Sequence, residues 1–206
     1  MGEEHPFASR GGIKLQYALE QFKINVGNKI ALDIGASTGG FTDCLLQKGV
    51  KKIYAVDVGY GQLDWKLRND PRVICMDRTN ARNLKREDLC DDPQLVVVDV
   101  SFISLKLILP SLFKILKQQN ELVALVKPQF EVGKDEVENK GIIKDPQKRT
   151  NVLLLLNDFI SEQCWALCHL TESPIQGQKG TREYVIHCVP NGNSLSEEDI
   201  RKVIGD

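Results

Sequence analysis

Four charged side chains stand where chemistry could be done. Asp99 closes the apolar run LVVVDV, Lys127 closes ELVALVK, and Glu183 lies near the start of EYVIHCV. Lys14 belongs to the N-terminal segment GGIKLQYALEQF and can reach the same place. If the last strand runs antiparallel to the others, its start shares a sheet edge with their ends, and all four side chains face one crevice. Two amines and two carboxylates gathered there can aim a weakly nucleophilic hydroxyl and remove its proton as a new bond forms. Lys127 takes that proton once neighbouring cations and partial burial favour its neutral amine. Lys14 supplies such a cation and holds the hydroxyl, while Asp99 and Glu183 fix the ammonium groups. Taken singly, each also reads as a solvated charge or, for Asp99, as a helix cap. Their common edge is what sets them apart.

A second signal is the stretch DIGASTGGFT, residues 33–42. Gly35, Gly39 and Gly40 permit a tight turn from strand to helix and let a ligand lie over the strand ends. The spacing G-x-x-x-G-G is neither the G-x-G-x-x-G of a dinucleotide site nor a phosphate-cradling loop followed by Lys. Asp57 ends the second apolar run and is placed to bond both hydroxyls of a ribose. Asp33 can meet the cationic or amino end of a ligand, directly or through water. A ligand with a ribose and an ammonium group but no phosphate satisfies both acids, and S-adenosylmethionine is such a ligand. A tight turn without any ligand is the plainer reading of the glycines alone.

These residues must be positioned by regular elements. Apolar runs at residues 29–34, 52–58, 72–76, 95–100, 121–127, 165–170 and 183–189 predict strands. Helical periodicity predicts helices over 11–22, 41–48, 63–68, 105–116 and 146–160, the last with Pro146 in its first turn. Residues 129–145 read as a long charged loop. The runs are continuously apolar rather than alternating, as parallel strands covered on both faces require. The last two runs have no helix between them, which predicts an antiparallel last strand. The expected fold is α/β: a mostly parallel sheet with helices on both faces.

The chain has 206 residues, 42% of them hydrophobic, enough for one buried core and a single domain over 1–206. Residues 1–8 read as a leader or junction. Residues 191–206 read as a polar tail with a short helix from Ser196. The net charge of −1 gives no bulk signal for a polyanionic partner, so a nucleic-acid surface must be local. The segment MGEEHPFASRGG has no apolar signal core, and no run is long enough to span a bilayer, so a cytoplasmic protein is expected. Of the six cysteines, Cys164 and Cys168 stand four apart beside His169, which invites a metal reading. No second pair accompanies them, and buried thiols without a metal are the expectation.

Five motifs, SRGGIKL, DIGASTGGFTDCLL, VVVDVSFISL, LVKPQFEVGK and KGTREYVIH, fall in order along almost the whole chain. Together they resemble the TlyA-type branch of the FtsJ-like ribosomal-RNA methyltransferases, whose members are often labelled haemolysins. The resemblance implies a Rossmann-like, S-adenosylmethionine-dependent fold with a seven-stranded sheet. It implies a catalytic tetrad landing on Lys14, Asp99, Lys127 and Glu183. It also implies donor binding by Asp33, Gly35, Ser37, Gly39, Gly40, Phe41 and Asp57, with Asp77 near the adenine. The implied partner is ribosomal RNA or a ribosomal subunit, methylated at a cytidine ribose 2′-hydroxyl; a homo-oligomer is compatible with it, and a membrane is not called for. Such proteins usually carry a small N-terminal RNA-binding domain, for which about eight residues before SRGG leave no room. Arg10, Lys134, Lys140, Lys144, Lys148 and Arg149 are candidate phosphate contacts. Three rival readings are a small-molecule methyltransferase on the same fold, which leaves both lysines without a role, a haemolysin-like membrane-active protein, and a donor-binding module without activity.

Overall fold

The computed structural model describes residues 6–117, 119–133 and 142–205. Seven strands form one sheet: β1 (Ile30–Ile34), β2 (Lys52–Val56), β3 (Val73–Met76), β4 (Leu95–Val98), β5 (Glu121–Val126), β6 (Trp165–Glu172) and β7 (Tyr184–Pro190). Their spatial order is β3-β2-β1-β4-β5-β7-β6. β1 to β5 pair in parallel, and β7 runs antiparallel to both β5 and β6. The chain builds outward from β1 through β2 to β3 and then crosses back to lay β4 on the other side of β1. That reversal opens a crevice beyond the carboxyl ends of β1 and β4, where ligands of doubly wound sheets bind.

The helices are α1 (Gly11–Gln21), α2 (Gly40–Gln47), α3 (Trp65–Arg68), α4 (Leu109–Ile115), α5 (Pro128–Glu131), α6 (Pro146–Glu162) and α7 (Glu197–Ile204). Both faces of the sheet are covered, which explains why the strands read as unbroken apolar runs. One core holds Leu15 and Leu19 of α1 and Leu45 of α2 against Ala31, Val97 and Val123. The other holds Leu112 of α4, Leu153 and Leu156 of α6 and Ile200 of α7 against Leu32, Val96 and Leu122.

Several local rules decide the boundaries. Pro146 opens α6, and the Asp145 carboxylate accepts from the Gln147 amide. The helix expected over 105–116 is broken: a 3-10 turn at Leu105–Leu107 precedes α4, with Pro110 inside the first turn of α4. Proline has no amide hydrogen to donate, so it is accommodated where a helix restarts and not in its interior. The expected long loop contains the short helix α5, and residues 134–141 lie outside the described residues. The segment expected as a polar tail packs instead. Ser196 and Asp199 form a capping box, and Ile200 and Ile204 are buried in the core beside α6. The end of the supposed leader is also built in, with Phe7 buried and the Ala8 amide donating to Asp43.

Candidate active site

The site begins with two strand ends and one close helix contact. β5 and β7 pair with Val126 opposite Tyr184, so the next residues, Lys127 and Glu183, leave the sheet side by side. On the neighbouring face, α1 lies against α2 through small residues. A β-carbon on Gly40 would come within 3.0 Å of the Gly12 amide nitrogen and 2.1 Å of the Ser9 hydroxyl. That approach tips the start of α1 toward the crevice and sends Lys14 into it.

The four charges meet there as two ion pairs. The Lys14 ammonium lies 2.5 Å from Glu183, both nearly inaccessible to water. The Lys127 ammonium lies 2.7 Å from Asp99 and donates to the Ser101 hydroxyl at 2.8 Å. Each amine therefore has a carboxylate of its own, where the sequence suggested that the two amines would bear on each other. All four side chains line one cavity of about 530 Å³. At its mouth stands Phe102, 89% exposed, its backbone at φ +64° and its ring 5.0 Å from that of Phe130.

Two further cavities open into the same place, sharing Ser37, Asp99 and Ser101 with the first. The smaller, about 150 Å³, is walled by the 35–41 loop and includes Gly35, Ser37, Gly40 and Phe41. The larger, about 400 Å³, is lined by Asp57, Val58, Gln62, Thr79, Asn80 and Ile103, a mostly apolar slot with a few polar groups. Gly35 makes the junction possible. Its φ is +80°, and a β-carbon there would sit 2.4 Å from the Asp99 carbonyl oxygen. Gly39, at φ +101°, turns the chain into α2.

The acids differ in what they can do. Asp57 accepts from the Ser37 amide at 2.8 Å and the Gly59 amide at 2.7 Å, which fixes its plane at the edge of the 400 Å³ slot. Each carboxylate oxygen keeps lone pairs for a diol. Asp33 is fully buried beneath the loop and accepts from the Thr42 hydroxyl at 2.6 Å, while its Oδ1 has no hydrogen-bond partner among the described residues. Burial pushes its carboxyl up to about 7, and Asp99 adds to the rise while the Thr42 bond opposes it. Asp77 is not among the residues lining these cavities. It is paired with Arg68 and accepts from the Gly61 amide, and the Arg68 contact holds its carboxyl below the usual range.

Reasoning from the sequence missed Ser9, Ser101, Phe102, Thr79 and Asn80, which line the cavities. A positional signal existed: Ser101 and Thr79 each stand three residues beyond the end of a parallel strand, where crevice-lining residues concentrate. Of the candidate phosphate contacts, Arg10 lines the 530 Å³ cavity and is exposed. Lys144 is exposed and Lys148 half-buried. Lys134 and Lys140 lie outside the described residues. Arg149 is a structural group: it is buried and donates to the Tyr184 hydroxyl at 3.0 Å and the Ile143 carbonyl at 3.2 Å.

Comparison with known proteins identifies the family. The chain is 47% identical over 183 residues to the 16S/23S rRNA (cytidine-2′-O)-methyltransferase TlyA of Mycobacterium tuberculosis, covering 89% of this chain and 68% of that protein. It is 47% identical over 184 residues to Hemolysin A of Brachyspira hyodysenteriae, covering 89% of this chain and 77% of that one. A solved structure from Streptococcus thermophilus that carries a hemolysin label superposes with a TM-score of 0.94 at 43% identity, covering 100% of this chain and 75% of that one. The FtsJ-like methyltransferase family matches residues 7–189, a span that includes both ion pairs and the glycine loop. The chain belongs to the FtsJ-like methyltransferase family.

Proposed function

We propose that this protein transfers a methyl group from S-adenosylmethionine to a ribose 2′-hydroxyl of ribosomal RNA, at cytidine. The observation that carries the reading is the meeting of two amine–carboxylate pairs, Lys14 with Glu183 and Lys127 with Asp99, beside a slot edged by Asp57. Relatives at 47% identity that are named for cytidine-2′-O methylation of ribosomal RNA support the substrate. The hemolysin label of other relatives is not matched by a lytic feature of the usual helical kind: no helix among the described residues is long and apolar enough to cross a membrane.

The donor fits the residues present. Asp57 has acceptor capacity for a ribose diol, the 35–41 loop walls a small polar cavity, and Asp33 keeps an unpartnered buried oxygen beneath that loop. When bound, the donor supplies an electrophilic methyl group on a sulfonium. The chain's own residues then do the rest. Lys14, held by Glu183, positions the ribose hydroxyl. Lys127 hands one ammonium proton to its paired Asp99 carboxylate and accepts the hydroxyl proton at Nζ as the oxygen attacks. Asp99 and Ser101 hold that Nζ in place, so little reorientation is needed at the moment of transfer.

The test uses radiolabelled donor and intact ribosomal subunits. Lys127→Ala lowers transfer by about 10²- to 10⁴-fold, the usual contribution of a general base. Its donor affinity by calorimetry stays within about tenfold, because Lys127 borders the small 35–41 cavity but does not line the Asp57 slot that would take the ribose. Transfer at the wild-type rate in this variant removes Lys127 from the role.

A further inference from the structure

A second cluster of reactive side chains lies away from the crevice, on the outer hairpin of the sheet. Cys168, His169 and His187 bring one ligand atom each to within 4.8 Å of one another. The Cys168 thiol is 3.4 Å from His187 Nδ1, and the two Nδ1 atoms of His169 and His187 face each other at 3.0 Å. His187 lies four residues along β7 from Glu183, about 13 Å at strand rise, so this cluster is separate from the catalytic pairs.

The local backbone explains the convergence. β6 and β7 pair regularly except for a register shift between Leu167 and His169. Cys168 is the extra residue of that bulge, and bulges re-aim side chains that would otherwise point to the opposite face. Cys168 and His169, adjacent in sequence, thereby reach the same neighbour. Cys164, the sequence's other candidate, is exposed and outside the cluster.

Two facing imidazole nitrogens 3.0 Å apart repel unless something positive lies between them, a proton or a metal ion. Three further features favour the metal. A thiol stands beside the ring nitrogens, and sulfur with imidazole is the donor set of zinc-type ions. The other nitrogen of His187, Nε2, lies 3.0 Å from the Glu121 carboxylate, which is itself paired with Lys29. A carboxylate at that position puts the ring hydrogen on Nε2 and leaves the Nδ1 lone pair for an ion, the usual arrangement behind a metal-bound histidine. Phe22 stacks on both rings, at 5.4 and 5.9 Å, and walls the cluster on one side, while His169 keeps it open to solvent on another. A tetrahedral ion separates such ligand atoms by about 3.3–3.6 Å; the thiol already lies 3.4 Å from His187 Nδ1, and the two ring nitrogens at 3.0 Å need to part slightly.

We propose that Cys168, His169 and His187 bind one divalent transition-metal ion of zinc's class, with the fourth position open to water. Binding displaces the thiol proton, and any proton shared by the rings, to solvent. The ion ties the β6–β7 hairpin at its bulge.

The experiment is a titration of chelator-stripped full chain with zinc(II) against a chromophoric competitor, repeated with cobalt(II). One ion binds per chain with a Kd at or below about 1 µM. The cobalt form shows a thiolate charge-transfer band and tetrahedral ligand-field bands. Cys168→Ser abolishes the charge-transfer band and weakens zinc binding at least about tenfold, as does His169→Ala at its exposed position. Cys164→Ser changes neither. Circular dichroism shows that each variant is folded. Absence of saturable binding, a cobalt complex without the thiolate band, or equal affinity in the wild type and the two cluster variants overturns the site and leaves a proton-sharing histidine pair.

Discussion

At Asp57, two backbone amides hold both carboxylate oxygens, so the side chain is oriented before any ligand arrives. A charge-assisted bond to a ligand diol contributes about 1.5–3 kcal/mol. Asp57→Ala is therefore expected to weaken donor binding by about 10- to 150-fold in a calorimetric titration, and an unchanged affinity means that the ribose is held elsewhere. Asp33 carries a different consequence. Its carboxyl is raised by burial from 3.8 in the unfolded chain to about 7 in the fold. Between those values the native state keeps a proton that the unfolded state has lost, so this group makes stability fall as pH rises through the window, and the loss levels off above about 7. The total is on the order of 4 kcal/mol. Asp33→Asn keeps an oxygen for the Thr42 hydroxyl and cannot ionise. Urea unfolding at pH 5 and pH 8 is expected to show a smaller decline for the variant than for the wild type. Equal declines place the titration on another group.

The elements that matter most to the site are α1 and β7, because they bring together Lys14 and Glu183, partners 169 residues apart in sequence. The contact of α1 with α2 depends on Gly40, where a methyl group has no room against Ser9 and the Gly12 backbone. Gly40→Ala is expected to cost about 1–3 kcal/mol by overpacking, measured as a lower midpoint in denaturant. It also displaces Lys14, so methyl transfer falls more than donor binding does. The helices and strands themselves were largely legible, since continuous apolar runs and helical periodicity are local properties. β1 to β5 fall within two residues of their predicted bounds. Less legible were the break before α4 and the packing of α7. Pro110 sits at a position where proline can either start or end a helix. The polar face of α7 hid the fact that Ile200 and Ile204 reach the core.

At the scale of the molecule, a net charge of −1 means that the proposed RNA substrate has to be gripped by local cations rather than by a general field. Arg10 is the exposed cation lining the 530 Å³ cavity. Arg10→Glu is expected to weaken RNA binding and reduce the salt slope by about one, with donor affinity unchanged, as filter binding across a salt series measures. An unaltered slope removes Arg10 from the phosphate contacts. The sequence by itself determined the order of elements, the turn after β1 and the chemical types near the strand ends, because each follows from neighbours a few residues apart. Only the tertiary structure decided which charges are partners. Lys14 and Glu183 are 169 residues apart, and their pairing depends on the direction of β7, its register on β5 and the small residues between α1 and α2. The same is true of His187, which meets Cys168 and His169 through a one-residue bulge. A side chain's partner is fixed by how close two backbones come, and that distance is a property of packing, which no local pattern encodes.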